Sequence, residues 1–260
     1  MIETNDLTNK VVLVTGSSRG LGKYYATQMA KLGANVAVHD VTSKASSEFG
    51  ESNSGENVAE EIKELGQHSK FFAADLTIPE QVESFVNSVL KEFGKIDILV
   101  NNAGGDIGFN SPRPNPNDAI DIKVEDIKSV VDRNLLNIMY MCKFVGNHMR
   151  ERNSGKIINI GSGAGHMTTT EGIIYASSKS AISHYTLCLG EQLRPFNVNV
   201  NCLAPSPTYT ERFKATRSIK EQNNLSKLQK IATPEDMSKI VLFLAGSQSD
   251  YLTGETIVSR

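Results

Sequence analysis

Cysteine is scarce in this chain. Cys142, Cys188 and Cys202 are the only three in 260 residues. They stand far apart with no paired spacing, the pattern of reduced cytoplasmic thiols and not of a disulfide framework or a zinc site. Charge of one sign is equally lacking. Twenty-seven Lys+Arg face 29 Asp+Glu, for a net charge of −2 and a pI of about 6.2. A dedicated nucleic-acid binder needs a concentrated basic surface, so no nucleic-acid partner is expected. Long apolar runs are absent as well. Residues 11–14 and 98–100 are among the longest, far too short to span a bilayer. The first six residues are polar and acidic, the reverse of a secretory signal, so no membrane partner and a cytoplasmic location are expected. No repeat and no long linker divides the chain, which predicts one domain over residues 1–260.

What the chain does have is alternation. Short β-branched apolar runs at residues 11–15, 35–39, 70–73, 96–101, 156–160, 197–201 and 256–258 read as strands buried on both faces. Between them, helical patterns occupy residues 20–32, 57–65, 79–93, 124–151, 174–193 and 234–245. Thr77 with Glu80 fits a capping box, and Thr233 before Pro234 fits a capping threonine with proline at the first helical position. The fold class is therefore α/β: a single-domain, doubly wound parallel sheet of about seven strands flanked by helices. Three stretches break the alternation: 41–56, 105–121 and 205–228. Each follows a strand's C-terminal end, where open α/β sheets bind ligands.

The turn after the first strand reads Thr15-Gly16-Ser17-Ser18-Arg19-Gly20-Leu21-Gly22. Its glycines allow a tight turn and close backbone approach, so a pyrophosphate fits at the following helix N-terminus. The spacing is neither G-x-G-x-x-G nor a triphosphate-binding loop. Asp40 ends the second strand. A carboxylate there accepts hydrogen bonds from both adenosine ribose hydroxyls and repels a 2′-phosphate, which favours NAD over NADP. Arg19 pulls the other way, since a guanidinium beside the turn pairs with a 2′-phosphate, although it can instead point to solvent.

Tyr175 and Lys179 lie four apart on a predicted helix, hence on one face. A free tyrosine, with a pKa of about 10, is a poor base at neutral pH, and a neighbouring ammonium makes its hydroxyl a usable proton donor and acceptor. Ser162 stands thirteen residues before Tyr175, just past a strand.

With this set in place, the sequence resembles the short-chain dehydrogenase/reductase family over nearly its whole length. The turn from Thr15 to Gly22 is similar to the family's glycine-rich turn, and Asp75 to its adenine-contacting aspartate. Asn101-Asn102-Ala103-Gly104 is similar to the motif after the fourth strand, and Asn134 to the active-site asparagine. Ser162, Tyr175 and Lys179 match the remaining catalytic positions. The resemblance implies a doubly wound Rossmann fold with catalytic residues Asn134, Ser162, Tyr175 and Lys179. It implies a cofactor site formed by Gly16, Ser18, Arg19, Gly20, Leu21, Gly22, Asp40, Asp75, Leu76, Asn102, Ala103, Gly104, Tyr175, Lys179, Pro205, Thr208 and Thr210. No metal is implied.

In that reading Tyr175 exchanges a proton with the substrate oxygen while hydride moves between the carbinol carbon and nicotinamide. Ser162 donates a hydrogen bond to that oxygen, Lys179 holds the nicotinamide ribose, and Asn134 positions a relay water. Two departures stand out: Ser206 follows Pro205 where the family usually has glycine, and the sequence stops at Val258-Ser259-Arg260 where relatives normally continue the last strand into an Asp-Gly-Gly tail. The resemblance implies a homotetramer or homodimer built on the helices at 124–151 and 174–193. Polar residues such as Asp106, Asn110, Arg113, Asp118, His166 and Glu171 predict a small polar alcohol or ketone as substrate. The alternatives are a 3-oxoacyl-thioester reductase using NADPH and a non-catalytic NAD(H)-binding sensor. Asp40 speaks against the first, and the intact Ser162–Tyr175–Lys179 set against the second. The loop at 41–56 is expected to cover the adenosine and slow cofactor release.

Overall fold

A computed structural model describes residues 6–45, 47, 54–216, 225–226 and 229–259. Its centre is one parallel sheet of seven strands: β1 (Val11–Val14), β2 (Asn35–Asp40), β3 (Ser69–Ala73), β4 (Ile98–Asn101), β5 (Gly155–Ile160), β6 (Val198–Ala204) and β7 (Thr256–Val258). They lie in the order β3-β2-β1-β4-β5-β6-β7. Alternate residues face opposite layers, as the twofold period of a strand requires. Val12, Val14, Val36, Val38, Val100 and Ile158 pack with helices α1 (Gly20–Lys31), α2 (Gly55–Glu64) and α8 (Pro234–Ala245). Leu13, Ala37, Leu99, Ile157 and Val200 pack with α3 (Pro79–Phe93), α5 (Asn137–Arg152) and α6 (Ile173–Leu193). Burial on both faces explains why these strands read as unbroken apolar runs.

Connections run outward from β1 in one direction and from β4 in the other, so the order reverses between those two strands. The loops leaving their C-terminal ends part there and open a cleft. The glycine-rich turn after β1 and the Asn102–Gly104 segment after β4 form its walls. No described helix is long and apolar enough to cross a membrane.

Several local readings change. Thr233 does cap α8, its hydroxyl accepting the Asp236 amide in a reciprocal capping box. Thr77 does not cap α3. Ile78 is the N-cap and Pro79 the first helical residue, while Thr77 donates both its amide and its hydroxyl to Asp75. Proline at the first helical position puts the cap on Ile78, one residue beyond Thr77. Helix α2 begins at Gly55, earlier than expected, because Ser54 caps it in a box with Asn57. The helix expected over 124–151 is α4 (Val124–Val131), a π-helical turn (Asp132–Leu136) and α5. Within 205–228, α7 (Glu211–Thr216) is helical. Of the 41–56 loop expected to cover the adenosine, residues 46 and 48–53 lie outside the described residues.

Candidate active site

A cavity of about 1100 Å³ runs along the cleft. One end is lined by Gly16, Arg19, Gly20, Leu21, Asp40, Asp75 and Leu76, the middle by Asn102, Ala103 and Gly104, and the other end by Ser162, Tyr175, Lys179 and Pro205. Thr208 and Thr210 also line it. The residues singled out from sequence thus converge on one continuous space. Ser18, Gly22 and Asn134 are the exceptions: they stand behind the wall and shape it.

At the first end the turn is held by its neighbours. Thr15 Oγ1 accepts the amides of Asn102 and Ala103, and Asn102 Nδ2 donates to the carbonyls of Thr15 and Gly16. Gly22 packs so closely that a Cβ there would lie 2.1 Å from the Gly16 carbonyl oxygen. Gly16 and Gly20 have φ of +61° and +54°, a left-handed conformation in which glycine is unstrained. Asp40 is buried. Its carboxylate accepts hydrogen bonds from the Ser18 hydroxyl and from the Val41 amide at 2.9 Å. Arg19 does not simply point to solvent: it is half-buried and lines the same cavity.

Sequence reasoning missed His39 beneath this turn. Its Nδ1 accepts the Gly16 amide at 3.3 Å and its Nε2 lies 3.1 Å from the Ala74 carbonyl, which fixes the neutral Nε2–H tautomer. Burial holds its pKa down at about 4, against the opposing pull of Asp40 and Asp75. Between that value and 6.5 the unfolded chain binds a proton that the folded chain does not. The stability this gives is complete above about pH 6.5 and is lost as pH falls towards 4. The loss is steepest at about 1.4 kcal/mol per pH unit. Thermal or urea unfolding between pH 7 and pH 4.5 should show this slope, and His39→Gln should flatten it.

At the far end, α6 carries Tyr175 and Lys179 one turn apart. Lys179 Nζ donates to the Ile160 carbonyl at 2.8 Å and lies 5.8 Å from the centre of the Tyr175 ring. Lys179 is only 3% exposed. Burial brings its pKa down to about 8, with Cys202 acting to raise it and Arg212 to lower it. Ser162 leaves β5 in extended backbone, and its Oγ accepts the Ala164 amide at 3.2 Å.

Asn134, fully buried, projects from the π-helical turn. Its Oδ1 accepts the Gly105 amide, and its Nδ2 donates to the carbonyls of Gly105 and Val130, each at 2.8 Å. Three of the four hydrogen-bonding positions of its amide are therefore held by backbone. Arg212 of α7 donates to the Gly104 carbonyl at 3.2 Å, another contact that sequence periodicity did not reveal.

The polar residues expected to face a substrate largely bind one another. Asp106 Oδ2 accepts from Arg113 Nε at 2.9 Å and from Asn117 Nδ2 at 2.8 Å. Arg113 also reaches Glu171 at 3.5 Å, and the Asn117 carbonyl accepts the Gly172 amide at 2.8 Å. Asp118 closes its own turn on the amides of Ile120 and Asp121. His166 lines the cavity, 3.1 Å from Ser183 Oγ.

The parallel sheet, the glycine-rich turn at its reversal point and the buried lysine one turn from a tyrosine define a dinucleotide-fold oxidoreductase class. The short chain dehydrogenase family description matches residues 10–221, and the chain belongs to the short-chain dehydrogenase/reductase family. It is 36% identical to a cyclohexanol dehydrogenase from Rhodococcus sp. (strain TK6), over 99% of this chain and 97% of that one. It is 32% identical to a 3-oxoacyl-(acyl-carrier-protein) reductase from Vibrio cholerae, over 97% and 96%. The solved structure of a 7α-hydroxysteroid dehydrogenase with NADH and 7-oxo glycochenodeoxycholic acid superposes with a TM-score of 0.87 at 27% identity. That superposition covers 99% of this chain and 96% of the other.

Proposed function

We propose that this short-chain dehydrogenase/reductase interconverts a secondary alcohol and a ketone on a small substrate, with NAD(H) as cofactor. The observation that carries the reading is the buried Lys179 ammonium beside Tyr175, at the end of a cavity whose other end is the glycine-rich turn. A nicotinamide dinucleotide fits the residues present. At Gly20 an added Cβ would meet nothing within 4 Å, so the turn opens onto free space, and Asp40 lines the cavity beyond it. When bound, the dinucleotide supplies the hydride donor or acceptor.

The chain supplies the rest. Tyr175 gives its phenolic proton to the substrate oxygen in reduction and takes it back in oxidation. Ser162 donates a hydrogen bond to that oxygen, where charge develops. Lys179 keeps positive charge near the phenol, and Asn134 holds the Gly105 backbone. Asp106, Arg113 and Glu171 line the cavity while paired among themselves, and Ile107, Pro112, Met167 and Phe213 add apolar surface beside them for the carbon skeleton of the substrate. That shifts the expectation of a small polar substrate towards a compact one with both polar and apolar parts. The cyclohexanol dehydrogenase, by its name an enzyme for a small cyclic secondary alcohol, supports the revision.

The test is direct. Wild-type protein is incubated with NADH or NADPH and a panel of cyclic and open-chain ketones, and loss of reduced cofactor is followed. NADH oxidation with at least one compact ketone is expected, and none with any would sink the proposal. Cofactor choice rests on Asp40. Asp40→Ser should lower kcat/KM for NADH about 10- to 100-fold, the scale of losing charge-assisted hydrogen bonds, without lowering it for NADPH. Equal losses with both cofactors would place Asp40 away from the ribose.

A further inference from the structure

Ser206, which stands where the family usually has glycine, meets Ser259 in the structure. Pro205, Ser206, Pro207 and Thr208 line the cavity where the chain leaves β6. Prolines have no N–H, so Ser206 carries the only main-chain donor among residues 205–207. That amide donates to Ser259 Oγ at 2.8 Å, and Ser259 Oγ lies 3.2 Å from Ser206 Oγ. Ser259 is itself fixed, its amide extending the β6–β7 pairing to the Ala204 carbonyl at 3.1 Å. Val258 and Ser259 line the same cavity.

The wall is anchored on two further sides. The Pro205 carbonyl accepts the Gly163 amide at 2.8 Å, next to Ser162. Beyond Pro207, Tyr209 donates to the Ala232 carbonyl at 2.8 Å and Ala232 to the Pro207 carbonyl at 3.2 Å. Between these anchors, the Ser259 hydroxyl is the acceptor that fixes the Ser206 backbone. We propose that Ser259 is a positioning residue: it holds the 205–208 wall against the bound cofactor and thereby sets the rate at which reduced cofactor leaves. The proposal rests on the nicotinamide-cofactor reading above.

Stopped-flow release of reduced cofactor tests it, using NADH or, should wild type bind only that, NADPH. Wild type that binds neither would overturn the cofactor reading and this proposal with it. Given binding, Ser259→Ala should release cofactor about threefold to tenfold faster and raise its KM by a similar factor, the range for one neutral hydrogen bond. Ser259→Thr, which keeps the hydroxyl, should stay within about twofold of wild type. A merely structural role would lower the melting temperature of Ser259→Ala while leaving release unchanged. That result, or equal acceleration in both variants, would overturn the proposal and leave the cofactor reading standing.

Discussion

Tyr175→Phe is expected to lower kcat by about 10³-fold or more, while NADH affinity stays within about threefold of wild type. The substitution removes one oxygen and keeps the ring. Tyr175 is half-buried on α6 and its ring lies 5.8 Å from Lys179 Nζ, so phenylalanine retains the packing and loses only the proton donor and acceptor. Positioned acid–base groups contribute about 10²- to 10⁴-fold, and without the hydroxyl the substrate oxygen has only the Ser162 hydrogen bond. Steady-state kinetics beside a fluorescence titration of NADH separate the two effects. A variant with full activity would remove Tyr175 from the chemistry, and one that no longer binds NADH would assign it to the cofactor.

Lys179→Met should cost about 10²-fold or more in kcat/KM and also change its pH dependence. With burial holding the Lys179 pKa at about 8, the amine is charged at neutral pH and becomes neutral as pH rises through that value. Its stabilising effect on the phenolate fades over the same interval. Wild-type kcat/KM, which reports groups of the free enzyme, should therefore fall as pH rises through about 8. The methionine variant, with no charge to lose, should lack that descending limb. The substitution also leaves the Ile160 carbonyl without its 2.8 Å donor, a cost of about 1–3 kcal/mol. Relief from burying an ammonium opposes that cost, so stability should change less than activity. A wild-type profile flat through pH 8 would contradict the assigned role.

Much of this was legible in the sequence, for identifiable reasons. Strands buried on both faces read as apolar runs, so β1, β2, β4 and β5 fell close to their observed positions. The Tyr175–Lys179 spacing is a local property of a helix, and it survived intact. What escaped was set by competition or by distance. Thr77 lost its capping role because the cap falls on Ile78, directly before Pro79. The π-helical turn that projects Asn134 is only five residues long between two α-helices, too short for periodicity to reveal. His39 reaches Gly16 only because β1 and β2 pair in parallel, and Arg212 reaches Gly104 only because the loops after β4 and β6 meet. Asp106 lines the cavity, and only the folded loop shows that its carboxylate is also paired with Asn117.

The most direct measurement follows the atoms. A secondary alcohol that the enzyme turns over, labelled with deuterium at its carbinol carbon, is oxidised with NAD⁺, and the reduced cofactor is recovered for mass spectrometry. One deuterium in NADH for each ketone formed is the predicted result. Ketone that accumulates while the recovered cofactor carries no label would contradict it.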